Sequence, residues 1–228
     1  MLVSVKFKKA LLSLSFMASK EKPPSGTKSA PAEKPFDKDS EDSEDYSYSD
    51  EVRIPKERVA VLIGKKGSEK KELEQAGNSR LQVDSKEGFV RISSKDPVRV
   101  MQMHDVVLAV GRGFNPQIAR LLFKTDYVLE VLDIEAYSRS KNKSIRLKGR
   151  VIGEEGKARR IIEELTETYI SVFGKTISII GQAYNVSICR RAVESLLSGS
   201  PHSSVYFWLE KKRKELKYQD FLGQDILK

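Results

Sequence analysis

Cysteine occurs once in these 228 residues, at Cys189, and histidine twice, at His104 and His202. A single thiol excludes an internal disulfide framework and any multi-cysteine metal site, and it fits a reducing cytoplasm. Neither imidazole joins a Cys or carboxylate cluster at ligand spacing, so no metal site is expected. The phosphate loop G-x-x-x-x-G-K-[ST] is also missing: Gly64 to Ser68 and Gly153 to Lys157 have the wrong spacing. With no catalytic constellation in view, neither an enzyme nor a bound cofactor is expected. The apolar run Ala10 to Ala18, behind Lys6, Lys8 and Lys9, has the outline of a secretory signal but is too short to span a bilayer. Met17 opens a soluble-looking MASKEKPPSG, so the start is expected either there or at Met1, with the upstream residues in the latter case a disordered extension. No membrane association is expected.

Charge is abundant and unevenly placed. The chain carries a formal +9 with a pI near 9.4. Residues 33–51 hold nine acids against Lys34 and Lys38, net −7, while residues 1–32 hold six bases and one acid, net +5. Residues 52–228 therefore carry 9 + 7 − 5 = +11, the electrostatic footprint of a polyanion binder. Residues 1–50 are rich in Lys, Pro, Ser, Asp and Glu after the first apolar run, and are expected to form a disordered tail. Its acidic block reads as a solvated linker, with a weak electrostatic competitor for a basic groove as the sharper alternative.

Two glycine-bracketed segments lie 89 residues apart: RVAVLIGKKGSEKKELEQ and LKGRVIGEEGKARRIIEEL. Each has an apolar pair, Leu62 and Ile63 or Val151 and Ile152, leading into G-x-x-G and then a charged amphipathic helix. Around the first, the pattern predicts a strand over 51–55, a helix over 56–63, and a helix over 68–75 capped by Ser68 and stopped at Gly77. A strand pair turning at Glu87-Gly88 follows, then a helix opened by Pro97 with Val100, Met103, Val107 and Val110 on one stripe. The second copy repeats the order, with a first strand over 128–134 and Ile161, Leu165 and Tyr169 marking the face of its second helix. A hairpin around Gly174-Lys175 and a helix over 183–197 complete it. In that last helix Val186, Cys189, Val193 and Leu196 recur at helical spacing, which makes Cys189 a core residue. Val205, Trp208, Leu209, Lys212 and Leu216 define a further amphipathic helix, capped by Ser203 or Ser204, whose apolar face is expected to dock on the domains. Trp208 with Lys211, Lys212, Arg213 and Lys214 is the alternative, a contact for RNA or a partner.

A G-x-x-G loop between two helices is the KH signature: bare main chain and a helix N-terminus lie open to phosphates, beside a groove for about four unpaired nucleotides. In the first copy the candidate RNA contacts are Ile63, Gly64, Lys65, Lys66, Gly67, Lys70 and Lys71. In the second they are Ile152, Gly153, Glu154, Glu155, Gly156, and the surrounding Lys148, Arg150, Lys157, Arg159 and Arg160. Two carboxylates face phosphate unfavourably there, though exposed charges contribute about 1 kcal/mol or less each. Either the bases carry the RNA, or this groove binds a protein partner. Glu163 and Glu164 read as the outer face of a helix.

Over about residues 51–217 the chain resembles the partner-of-Nob family of ribosome-assembly factors. The resemblance is carried by IPKERVAVLIGKKG, DVVLAVGRGFNPQIARLLF, GRVIGEEGKARRIIEELT, ISVFGKTISIIG and SGSPHSSVY. The intact GKKG resembles the archaeal branch. The implied fold is α+β: two tandem type I KH domains (β-α-α-β-β-α) at 51–113 and 128–199, joined by a connector at 114–127 and followed by a C-terminal helix and tail at 200–228. The resemblance implies binding near the 3′ end of small-subunit ribosomal RNA, with the Nob-type endonuclease and the α subunit of translation initiation factor 2 as partners. A KH-fold scaffold linking translation or assembly factors is the alternative.

Overall fold

The computed structural model describes residues 47–138 and 140–226, with side chains to Leu216 and at Tyr218. The expectations for the tail up to residue 46, including the start site and the body of the acidic block, lie outside the described residues. Chain order is β1 (Tyr48–Arg53), α1 (Lys56–Ile63), α2 (Ser68–Gly77), β2 (Arg80–Asp84), β3 (Phe89–Ser94) and α3 (Pro97–Gly111). A one-turn α4 (Pro116–Ala119) and a 3-10 turn (Arg120–Phe123) lead into the second copy. That copy comprises β4 (Tyr127–Asp133), α5 (Lys141–Ile152), α6 (Lys157–Thr166), β5 (Tyr169–Phe173), β6 (Thr176–Gln182) and α7 (Ala183–Leu197), followed by α8 (His202–Ile226). The expected β-α-α-β-β-α order is found twice. Both sheets are antiparallel, ordered β1-β3-β2 and β4-β6-β5, so β3 and β6 are central, β1 and β2 are the edges of the first sheet, and β4 and β5 those of the second.

Local details differ from the sequence expectation where tertiary contacts decide. Strand β1 begins at Tyr48, inside the segment expected to be tail, because pairing with β3 extends to Tyr48↔Ser94. Ser68 does not cap α2: Gly67 occupies the cap in left-handed geometry and Ser68 is the first helical residue. Asn78, at φ 47, ends α2 in place of Gly77. Gly77 instead lets α2 approach its neighbours, since a Cβ there would lie 2.5 Å from Met103 Cε and 2.9 Å from Phe123 Cε1. On α6 the buried face is Ala158, Ile162 and Thr166; Ile161 is only half-buried and Tyr169 belongs to β5. Ser203 and Ser204 lie inside the first turn of α8, which starts at His202. For α3, an unanticipated cap appears: Asp96 accepts a bond from the Val98 amide at 2.9 Å.

The two sheets bury differently, and the sequence explains why. Strand β3, FVRISS, alternates: Val90 and Ile92 are buried while Phe89 and Arg91 are exposed, so one sheet face is solvated. Strand β6, TISIIGQ, is buried at six consecutive positions. Ile177 and Ile179 face the helices of their own unit, whereas Ile180 joins the core of the first unit together with half-buried Tyr127 and Leu129. Phe114, Ala119 and Leu122 from the connector are buried in that same core, so residues 114–127 are structural and not a spacer. The Ser171 hydroxyl, on β5, donates to the Arg112 carbonyl at 2.9 Å, and a Cβ at Gly113 would meet Ser171 Oγ at 2.6 Å. The second sheet is thus packed between its own helices and the end of α3.

Helix α8 docks as expected, with Val205 and Leu209 buried in the second core and Trp208 and Leu216 packed against it. Cys189 is fully buried there, and burial pushes its thiol up to about 11. Because the folded state holds that proton more tightly than the unfolded chain, the contribution is complete below pH 9 and is lost as pH rises toward 11. Cys189 should therefore resist thiol reagents at pH 8 in the native protein and react in urea. Rapid native labelling would contradict this burial.

Candidate nucleic-acid interface

Each G-x-x-G loop links two helices through the same backbone path. Gly64 has φ 72 and ψ −176 and Gly153 has φ 72 and ψ 178, a region essentially restricted to glycine. The third loop residue is left-handed although it is not glycine: Lys66 at φ 54 and Glu155 at φ 49. Gly67 and Gly156 follow at φ 78 and 77. The same strained path is found in both copies, which means that surrounding contacts hold it in place. At Gly64 a Cβ would lie 2.5 Å from Glu69 Cγ, and at Gly153 it would lie 2.7 Å from the Ala158 amide nitrogen. These first glycines are therefore required by close approach to the next helix. Gly67 has no atom within 4 Å of a hypothetical Cβ, and Gly156 only the Arg160 Nε at 4.0 Å, so the outer side of each loop is open main chain.

The side chains around the loops separate into two electrostatic types. In the first, Lys65 and Lys66 are exposed, Ile63 is half-buried at the end of α1, and Lys71 is exposed on α2. Lys70 is half-buried and sits 3.8 Å from Glu74, one helical turn on. In the second, Glu154 and Glu155 are exposed, with Lys157 and Arg160 beside them on α6. Glu154, Glu155, Lys157, Arg160, Ile161 and Glu164 line an open depression of about 500 Å³. Arg160 reaches back and donates to the Glu155 carbonyl at 2.6 Å, bracing the strained loop. Arg159 lies 3.6 Å from Glu163, Lys148 is half-buried on α5, and Ile152 is half-buried at its end.

Arg150 was expected at the loop rim, but its guanidinium is directed elsewhere. It donates to the carbonyls of Leu196 at 3.1 Å and Ser200 at 2.7 Å, satisfying the open end of α7. His202 in turn donates from Nε2 to the Arg150 carbonyl at 2.8 Å. The first unit does the same with a residue that sequence reasoning missed: Arg58 donates to Val110 at 2.9 Å and Phe114 at 2.6 Å, at the end of α3. The two arginines do not occupy corresponding positions in the repeat, so sequence spacing carried no signal for this role.

Glu163 is also placed differently from the outer-face expectation. Its carboxylate accepts the Ile170 amide at 2.7 Å, and burial raises its affinity for a proton, offset by that bond and by Arg159. In the first unit Glu74 accepts the Leu81 amide at 2.7 Å. Both pairs are related by the 89-residue repeat, which is the signal that would have found them. Each fixes the start of an edge strand against the groove-forming helix. Two residues further along, Val83 and Val172 hold equivalent register positions on these edge strands, opposite Val90 and Ile177.

Comparison with known proteins follows the same two units. A KH-domain model matches residues 49–108. A model described as a eukaryotic type KH-domain, type I, matches residues 128–214. A KH domain-containing protein of Methanocaldococcus jannaschii is 49% identical over 174 residues, covering 75% of this chain and 76% of the relative. The chain belongs to the archaeal branch of the Pno1/Dim2 family of KH proteins. The pre-rRNA-processing protein pno1 of Aspergillus oryzae is 31% identical over 144 residues, covering 60% of this chain and 55% of that protein. The chain thus spans about half the length of that eukaryotic relative. Among solved structures, Dim2p in the a/eIF2alpha-aDim2p-rRNA complex of Pyrococcus horikoshii superposes with a TM-score of 0.70 at 42% identity. That match covers 74% of this chain and 95% of the other.

Proposed function

We propose that this protein binds unpaired ribosomal RNA near the 3′ end of the small-subunit precursor and acts as an assembly factor through binding. The observation that carries this reading is the duplicated strained loop, with open main chain at Gly67 and Gly156, set in a surface whose folded part is strongly basic. The relatives named for pre-rRNA processing and for a complex with rRNA support it. Phosphates rest against the loop amides and helix N-termini; Lys65, Lys66, Lys70 and Lys71 neutralise them at the first loop, and Lys148, Lys157, Arg159 and Arg160 at the second. Bases turn toward Ile63 or Ile152 and the outward groups of β2 or β5. Arg150 and Arg58 hold the helices that frame the grooves.

Cytoplasmic action, presentation of the RNA end to a Nob-type endonuclease, and contact with the α subunit of translation initiation factor 2 belong to the same proposal. The name of the Pyrococcus complex supports the last of these. If four phosphates are neutralised, affinity should fall about 50-fold between 50 and 200 mM salt.

A scaffold reading of the second groove is favoured by one observation, the exposed Glu154 and Glu155. Replacing both with Lys distinguishes the two. If RNA occupies this groove, affinity should rise about tenfold and the logarithmic salt slope should steepen by about 1.4. Unchanged RNA affinity with loss of a protein partner would instead favour the scaffold.

A further inference from the structure

Helix α8 divides the basic run around Trp208 into two sides. Trp208 is half-buried, with the Arg191 guanidinium 5.3 Å from its ring centre, and Lys212 is held by Glu215 at 2.6 Å. Those residues face the protein. Phe207, Lys211, Lys214 and Tyr218 face solvent; Phe207 is 73% and Tyr218 64% exposed. At 3.6 residues per turn these four side chains fall within about 60° of arc, along about 16 Å of helix. An aromatic ring therefore stands at each end of a solvent-facing stripe, with two ammonium groups between them.

We propose that this stripe is a second binding site for single-stranded RNA, with bases stacking on Phe207 and Tyr218 and phosphates paired to Lys211 and Lys214. Charge complementarity selects the occupant. A docking face for a protein core would be continuously apolar, whereas isolated rings separated by cations match the alternation of bases and phosphates in an unpaired strand. Placement supports it as well: α8 packs against α6, the helix that begins directly after the Gly153–Gly156 loop. The inference rests on the RNA reading above and extends the footprint beyond the four-nucleotide groove.

The test uses the full chain and two oligoribonucleotides from the 3′ end of small-subunit rRNA, one of about four nucleotides and one of about ten. Wild type should bind the longer strand more tightly. The double variant Phe207→Ala with Tyr218→Ala should lose about tenfold or more in affinity for the longer strand, with the shorter one unchanged. Lys211→Glu with Lys214→Glu should flatten the logarithmic salt slope for the longer strand by about 1.4. All four side chains are exposed, so thermal unfolding should be unaltered. Equal binding of the longer strand by wild type and variants overturns the inference while leaving the groove reading intact. So does an equal loss on both strands, or loss of a protein partner with RNA binding unchanged. Wild type binding neither strand overturns the groove reading itself, and this inference with it.

Discussion

Gly153→Asp is expected to reduce affinity for the rRNA strand at least tenfold and to lower stability by about 1–3 kcal/mol. The first glycine of the second loop combines two demands. Its φ of 72 with ψ of 178 is nearly inaccessible to other residues, and a Cβ there would sit 2.6 Å from Ala158 Cβ and 2.7 Å from its amide nitrogen. The loop must reorganise, and the amides at the start of α6 move with it. Gly156→Ala provides the contrast, because that position is an ordinary left-handed one with open space around it. Its stability cost should be only about 1 kcal/mol, so any larger loss of RNA affinity reports blocked approach of phosphate to main chain. Urea titration and fluorescence anisotropy on the same samples separate the two effects. Equal, small changes at both positions would contradict the assignment of the loop.

The second large effect concerns Ile180. Its side chain is fully buried and belongs to the first unit's core although the second unit's central strand carries it. Ile180→Ala should cost about 2–5 kcal/mol, as should Ile179→Ala on the opposite face of the same strand. The two should differ in where protection is lost. Hydrogen exchange after Ile180→Ala should rise in α3 and in the connector around Phe114 and Leu122, whereas Ile179→Ala should loosen α6 and α7 first. Unchanged protection of α3 in the Ile180 variant would contradict coupling of the two units.

That coupling marks where sequence reading succeeds and where it stops. Element order and both loops follow from periodicity and the 89-residue repeat, because amphipathic spacing and paired glycines are local properties. The alternation of β3 against the unbroken apolar run of β6 is also local, and it signals that one sheet is covered on one face and the other on both. What covers β6 is set by residues as distant as Phe114 and Leu122, which no pattern within the strand can name. The same holds for Arg150. A basic residue three positions before the loop reads as a phosphate contact until the fold brings the carbonyls of Leu196 and Ser200 within reach. Ser68 failed as a cap for a subtler reason: the left-handed Gly67 already reverses the chain, so Ser68 enters the helix itself.

Crosslinking of the protein to RNA in cells, followed by sequencing of the bound fragments, is the most direct test of rRNA binding through the two glycine loops. The expected result is recovery dominated by the 3′ end of small-subunit rRNA, with crosslinked peptides from around the Gly64–Gly67 and Gly153–Gly156 loops. Recovery dominated by tRNA or messenger fragments, or crosslinks confined to the solvated face of the first sheet, would contradict it.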